Sequence, residues 1–358
     1  MRAYLRTFGC RANQYDTEAA RGMIEAAGGV IVGSAAEADV AVFNSCAVTA
    51  AAEADLRQEI RRAARDNSRV RSVVIGCASA RDDGVIAALP GVSDVIGGAD
   101  LGELARALGI DPLLAASRPA TQTGARALLR IQDGCDEHCT FCATTLARGA
   151  HRSRRADEIV GEAAALAAQH PEIVITGIHI GSYGTDVGSS LGGLLERLVL
   201  EVPGVRFRLT SVEATEVDAR LGDLLTSEPL RVAPHLHAPL QSGSDRVLKR
   251  MGRHWYTAAS YARAAEDFAS RSEVFALGAD IITGFPGETD ADHAATVALV
   301  EALPFTYLHV FPYSARPGTA AVKMDDDVPA AVSRERAAEL RAIGEEKAAA
   351  HRTRRAGG

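Results

Sequence analysis

The sequence contains no uncharged stretch long enough to cross a membrane, which takes about 18 residues or more, and its N-terminus MRAYLRTFGC carries two arginines and no apolar run. Membrane spans and a secretory leader are therefore not expected, and a cytoplasmic location is. Positive charge is not in excess either: the formal net charge is −7. A protein built around nucleic-acid binding would usually show a basic domain or stripe. Any RNA contact must then be local and salt-sensitive. Basic clusters stand at Arg152, Arg154 and Arg155, at Lys249, Arg250 and Arg253, and at Arg352, Arg354 and Arg355; taken alone, each reads as solvated surface. Internal repeats are also lacking. Hydrophobic residues at 47% and charged residues at 24% exclude wholesale disorder and fibrous architectures.

What is present is an α/β pattern long enough for two domains. In the first hundred residues, short apolar runs (AYLRTFG, ADVAVFNS, SVVIG and a weaker DVIGG) alternate with helical patterns near 17–27 and 49–65. This predicts parallel βαβ units in a doubly wound parallel sheet over 1–112. A linker follows at 113–124, LLAASRPATQTG. From 125 to 328, strand candidates ALLRIQD, EIVITG, VRFRLTS, PHLHAPL, VFALGADIITG and FTYLHVFPYS recur between helical segments. Six such units suit a partial (β/α)6 barrel better than a complete eight-stranded one. A C-terminal helix and basic tail are expected over 329–358.

The six cysteines fall into two sets. Cys135, Cys139 and Cys142 form C-x3-C-x2-C directly after a predicted strand. Three thiolates this close suit a cubane iron–sulfur cluster with one iron left open to a substrate. A zinc site completed by His138 or His151 is the competing reading; zinc spacings usually pair two short units, and no second unit is nearby. Cys10, Cys46 and Cys77 each follow a predicted strand. In a parallel sheet all three emerge at the same C-terminal edge, where such folds build their sites, and so converge. Three unrelated buried thiols are the alternative.

The triad, with the aromatic Phe141 before its last cysteine, resembles the signature of the radical S-adenosylmethionine superfamily. That resemblance implies that the open iron chelates S-adenosylmethionine, that Phe141 lies near its adenine, and that reductive cleavage yields a 5′-deoxyadenosyl radical. TFGCRANQYDTE, NSCAVT and IGC resemble the N-terminal domain of methylthiotransferases, in which three cysteines hold a second cluster. The similarity continues through FRLTSVEATEVD, HLHAPLQSGSDRVLKRMGR, DIITGFPGETD and HVFPYSARPGT, over about residues 3 to 320. It implies two [4Fe-4S] clusters held by Cys10, Cys46 and Cys77 and by Cys135, Cys139 and Cys142, a tRNA substrate, and an electron donor such as flavodoxin or ferredoxin. The NQYDTE version most resembles the group that adds a methylthio group to carbon 2 of N6-threonylcarbamoyladenosine at position 37, next to the anticodon. Related groups act on isopentenyladenosine in tRNA or on a ribosomal-protein aspartate. An iron–sulfur or zinc RNA-binding protein without catalysis is the reading from another class.

Among barrel residues, Gly177, Glu213 and Gln241 stand at strand ends and are candidates to bind the cofactor, with Arg148 and Arg154 as partners for carboxylate or phosphate. His179, His235, His237 and His309 are expected to be packed and hydrogen-bonded, and no side chain is assigned to catalysis. Three departures from the family pattern stand out. CATTLARG replaces C-I-I-P-Y-x-R-G, so Thr145 and Leu146 stand where proline and tyrosine are usual. Ala80 stands where a glutamine usually follows Cys77. The usual C-terminal TRAM domain does not follow HRTRRAGG.

Overall fold

The computed structural model describes every residue except Ser117, Arg118, Ala120, Ser272, Glu273, Val274, Gly357 and Gly358. Parts of the expected linker, the first residue of the expected strand VFALGADIITG and the last two residues of the basic tail therefore lie outside the described residues. The chain forms two compact units, Met1–Asp136 with Cys142–Ile178, and Glu137–Phe141 with His179–Gly358.

In the first unit, strands β1 (Arg2–Thr7), β2 (Val30–Ile31), β3 (Val40–Ser45), β4 (Arg71–Gly76) and β5 (Val92–Val95) alternate with helices α1 (Arg11–Ala26), α2 (Ala50–Asp66) and α3 (Leu101–Leu108). The sheet order is β2-β1-β3-β4-β5, and every pairing is parallel. Alternate residues of a strand face opposite sides, and here both sides are apolar. Ala41, Phe43 and Val74 pack with Leu56 and Ile60 of α2 on one face. Val40, Val42, Val73 and Ile75 pack with Met23 and Ile24 of α1 and Leu104 of α3 on the other. All six residues of β3 are buried, which is why it reads as a continuous apolar run. Thr49 caps α2 by accepting a hydrogen bond from the Ala52 amide at 3.2 Å. Helix α1 starts at Arg11, well before the expected 17.

The same unit continues with β6 (Ala127–Arg130), β7 (Gln132–Asp133), α4 (Thr144–Arg148), β8 (Arg152–Ser153), α5 (Ala156–Ala167) and β9 (Glu172–Thr176). The expected strand ALLRIQD breaks at Ile131, because β6 pairs in parallel with β9 while β7 turns away to pair antiparallel with β8.

The second unit carries α6 (Leu191–Glu201), β10 (Arg206–Leu209), α7 (Ala219–Ser227), β11 (His235–His237), α8 (Asp245–Arg250), α9 (Ala258–Ser270), β12 (Ala276–Thr283), α10 (Asp290–Ala302), β13 (Tyr307–Pro312) and α11 (Ala330–Ala356). Strands β11, β12 and β13 form one parallel sheet. Helices α9 and α10 each begin with a complete capping box, at Thr257 and Thr289. Among the described residues, no helix is long and apolar enough to cross a membrane.

Candidate active site

Strands β3 and β4 end side by side, with Ser45 opposite Gly76. Cys46 and Cys77 are the next residues, and Cys10 lies just beyond β1, at the start of α1. One side chain joins two of the three thiols. Asn13, in the first turn of α1 and 1% exposed, donates through Nδ2 to the carbonyls of Phe8 at 3.1 Å and Ser45 at 2.7 Å. Its Oδ1 accepts from Cys10 Sγ at 3.6 Å and from Cys77 Sγ at 3.9 Å. Cys46 reaches the same place because Gly9 has no side chain: a Cβ there would stand 2.6 Å from Cys46 Sγ. Cys46 and Cys77 are buried, whereas Cys10 is exposed.

A guanidinium completes this cluster. Arg148, 5% exposed, donates from Nε to Cys77 Sγ at 3.4 Å and from Nη2 to Asn13 Oδ1 at 2.9 Å. Its charge is met by Asp16 Oδ2 at 2.7 Å and Asp133 Oδ1 at 3.3 Å. The other oxygen of Asp16 is taken by Arg130. Burial pushes the Cys77 thiol up to about 11, against the pull of Arg148. A metal ion replacing that proton would leave a thiolate beside a fixed cation.

The second cysteine set occupies the stretch between β7 and α4. In the first unit, the Cys135 amide donates to Gly149 O at 3.1 Å, and Thr145 Oγ1 donates to Cys142 Sγ at 3.6 Å. Thr145, at the place of the usual proline, thus becomes a hydrogen-bond donor to a cysteine. In the second unit, Arg253 Nη1 donates to Cys139 Sγ at 3.5 Å, and Nη2 pairs with Glu213 Oε1. Arg253 also donates from Nε to Tyr256 Oη at 2.8 Å, and that hydroxyl donates to Leu240 O at 2.7 Å. The expectation that Arg253 is solvated surface is wrong: it is 5% exposed, because Glu213 neutralises it inside the fold.

Glu213 is 8% exposed, and its Oε2 has no hydrogen-bond partner among the described residues. Burial pushes its carboxyl above the usual carboxylate range, against the pull of Arg253. Phe141 packs edge-on against Phe285, with centroids 6.4 Å apart. Gln241 adopts a left-handed backbone, φ 64°, and bridges to Ile281. Gly177 directly follows β9, and the next amide, of Ile178, donates to Gln132 Oε1 at 3.0 Å. Arg154 is held within its own unit: it pairs with Glu162 at 2.8 Å and donates to Arg130 O at 2.7 Å and Tyr15 Oη at 3.3 Å. The four histidines in or beside strands are hydrogen-bonded as expected. His179 meets Glu216 at 2.8 Å, His235 and His237 meet Tyr307 at 2.8 and 2.9 Å, and His309 meets Asp280 at 3.2 Å.

Asn13 and Asp16 were not singled out from the sequence, and Arg253 was read there only as part of a basic cluster. Asn13 and Asp16 carried a signal, lying three and six residues after Cys10 on the side of α1 that faces the sheet.

Residues 2–98 match the family model described as "Uncharacterized protein family UPF0004", and residues 129–300 match the radical SAM superfamily. The chain is 37% identical to the threonylcarbamoyladenosine tRNA methylthiotransferase MtaB of Bacillus subtilis, over 96% of this chain and 80% of that protein. It is 36% identical to the MtaB of Thermotoga maritima, over 93% and 79%, and 37% identical to a tRNA-2-methylthio-N(6)-dimethylallyladenosine synthase of Sorangium cellulosum, over 96% and 78%. The fold is that of the radical S-adenosylmethionine methyltransferase TsrM from Kitasatospora setae, solved with cobalamin and a [4Fe-4S] cluster bound: TM-score 0.65 at 15% identity, over 89% of this chain and 76% of that one.

Proposed function

Because the chain belongs to the radical S-adenosylmethionine methylthiotransferases, we propose that it adds a methylthio group to carbon 2 of N6-threonylcarbamoyladenosine at position 37 of tRNA. The observation that carries this reading is the convergence of Cys10 and Cys77 on Asn13, with Arg148 against Cys77 and Cys46 beside Gly9. Asn13 and Asp16 belong to the NQYDTE segment, whose form most resembles the threonylcarbamoyl group, and that segment also lines the thiol pocket.

The residues fit the cofactors of this chemistry. Cys10, Cys46 and Cys77 would hold one [4Fe-4S] cluster, and Cys135, Cys139 and Cys142 the other, with one iron of each left without a cysteine. Glu213 Oε2, without a partner among the described residues, is an acceptor for an ammonium or hydroxyl group of S-adenosylmethionine, and Phe141 and Gln241 of the same unit are further candidates to line its site. When bound, these groups supply the radical and the sulfur that acid–base chemistry at an unactivated adenine carbon cannot. The protein's part is to hold and orient them. Arg253 donates to Cys139 and fixes Glu213, so thiol, cation and acceptor share one rigid unit. Arg148 does the same for Cys77, and its charge offsets the negative charge that thiolates bring into a buried pocket.

A second reading has support of its own, since the Sorangium relative equals the Bacillus one in identity: the same chemistry on dimethylallyladenosine. One measurement separates the two. Mass spectrometry of tRNA nucleosides from a host lacking its own enzyme, with and without this gene, should show the methylthio derivative of threonylcarbamoyladenosine. Methylthiolated dimethylallyladenosine instead would select the second reading, and unchanged tRNA would refute both.

A further inference from the structure

Strands β11, β12 and β13 present a cluster that the reaction above does not use. His237 pairs with Gly278, Gly278 with Tyr307, and Asp280 with His309. Paired residues and their alternate neighbours share a face, so His235, His237, Asp280, Tyr307 and His309 stand together on one side of this sheet. His237 Nε2 lies 3.0 Å from Asp280 Oδ2, and His309 Nδ1 lies 3.2 Å from Asp280 Oδ1. The candidate ligand atoms of all three residues fall within 4.8 Å of one another.

We infer that His237, Asp280 and His309 form a binding site for one divalent first-row transition-metal ion, separate from the cysteines. Three features fit a metal site. Ligand atoms around a single zinc-like ion stand about 3.0–3.5 Å apart when each bond is about 2.1 Å, and the two imidazole–carboxylate separations fall in that range, which they share with ordinary hydrogen bonds. The ring of His237 is also oriented as a metal ligand's would be. Its Nδ1 meets Tyr307 Oη at 2.9 Å, which leaves Nε2 to face the carboxylate; such a partner on the remote nitrogen is characteristic of metal-bound histidine. Tyr307 itself is held over Gly278, where a Cβ would stand 1.9 Å from the tyrosine Cζ, so only glycine admits the ring. Finally, the cluster is walled on one side and open on the other: the His237 side chain is 9% exposed and that of His309 56%. Two imidazoles and one carboxylate fill three positions and leave the rest for water or an oxygen ligand. That donor set suits zinc, iron(II) or cobalt(II) better than magnesium or calcium.

The inference rests on these side chains alone, so it stands or falls independently of the tRNA substrate. The full chain, with both clusters reconstituted, is exposed to excess zinc, desalted, and assayed for iron and zinc. About one zinc per chain should remain above an unchanged iron content. X-ray absorption at the zinc edge should show only nitrogen and oxygen neighbours near about 2.0–2.1 Å, without sulfur near about 2.3 Å. D280N, which keeps the side chain's shape, and H309A, which removes a mostly exposed one, should each weaken zinc binding at least about tenfold while iron is retained. Y307F, which removes the partner of His237 Nδ1, should weaken it by about tenfold. Loss of all zinc on desalting, a sulfur shell, or undiminished zinc in both D280N and H309A would overturn the inference and leave a hydrogen-bonded cluster only.

Discussion

Two buried arginines, each donating to a cysteine sulfur, sit in different units and are finished differently. Arg148 and Arg253 are both 5% exposed, and their N–H groups reach Cys77 at 3.4 Å and Cys139 at 3.5 Å. Arg148 meets two carboxylates, and the Asp16 between Arg148 and Arg130 has both oxygens occupied. Arg253 meets one, and Glu213 keeps an oxygen without a partner. The first arrangement is closed and the second is open. A closed network can hold a fixed group, whereas an orphaned buried acceptor costs free energy until a ligand satisfies it. On this reading the first unit stores the auxiliary cluster and the second receives S-adenosylmethionine.

The sharpest way to break that comparison is to remove a cysteine from each set. C10A and C139A should each lower iron from about eight to about four per chain, the loss of one cubane. Only C139A should abolish reductive cleavage of S-adenosylmethionine, while C10A should retain cleavage and lose methylthio transfer. Equal loss of cleavage in both variants would mean that the two sets do not have separate tasks.

Next in size come the arginines. Removing one partner of a buried ion pair costs about 3–5 kcal/mol. R253M should fall in that range, because Glu213 loses its ion-pair partner. R148M should cost less at the carboxylate, since Asp16 keeps Arg130. The pH dependence follows the same order, since burial raises Asp16 as well but Arg130 still opposes that in R148M. Burial already raises the Glu213 carboxyl, with Arg253 opposing; without Arg253 its folded value rises further above the unfolded one. Stability in R253M is therefore fully present below the unfolded carboxylate value, and it drains away as pH climbs through the folded one. Melting temperature measured from pH 5 to 8 should fall more steeply in R253M than in R148M. Parallel curves would show that Glu213 does not carry the unpaired charge.

A smaller effect is expected at the open oxygen. E213Q keeps the shape but exchanges a charged acceptor for an amide, so the affinity for S-adenosylmethionine should drop by about tenfold, which is about 1.4 kcal/mol, with iron content unchanged. D16N should leave that affinity where it was. Equilibrium binding to the reconstituted proteins reads both, and an equal drop in the two would erase the distinction between open and closed.

Much of this was legible in the sequence, and what was not has a physical reason. The thiols of Cys10, Cys46 and Cys77 could be placed because a parallel sheet sends every strand's C-terminal end to one edge, and each cysteine sits just past such an end. Arg148 could be read as a partner for a carboxylate, but the burial of the two arginines could not be read. A charged residue in a local window reads as surface, and what buries Arg148 is Asp16, 132 positions away, just as Glu213 buries Arg253 from 40 positions away. Element limits went astray for local reasons. Helix α1 opens with the polar stretch RANQ, which has no apolar period to announce it. The two-residue β2 is too short to show alternation. The His237, Asp280 and His309 cluster needs the register of three strands, which no single stretch of sequence carries.

The smallest predicted effect tests the premise under the others, that burial rather than charge pairing as such gives the two arginines their weight. Arg62 on α2 pairs with Glu59 and with Asp66, each at 3.6 Å, and its side chain is 63% exposed. Water screens such pairs, and a helix pair four residues apart contributes about 0.3–0.5 kcal/mol. R62A should accordingly shift stability by no more than about 0.5 kcal/mol in denaturant unfolding, with iron content and cofactor binding unmoved. It removes the same charge as R148M, from the same unit and with two carboxylates again left behind, so the difference between the two variants measures burial together with the contacts of Arg148 to Cys77 and Asn13. A cost for R62A approaching that of R148M would mean that loss of an arginine anywhere in the first unit is damaging, and the closed network around Cys77 would then have no special claim on the result.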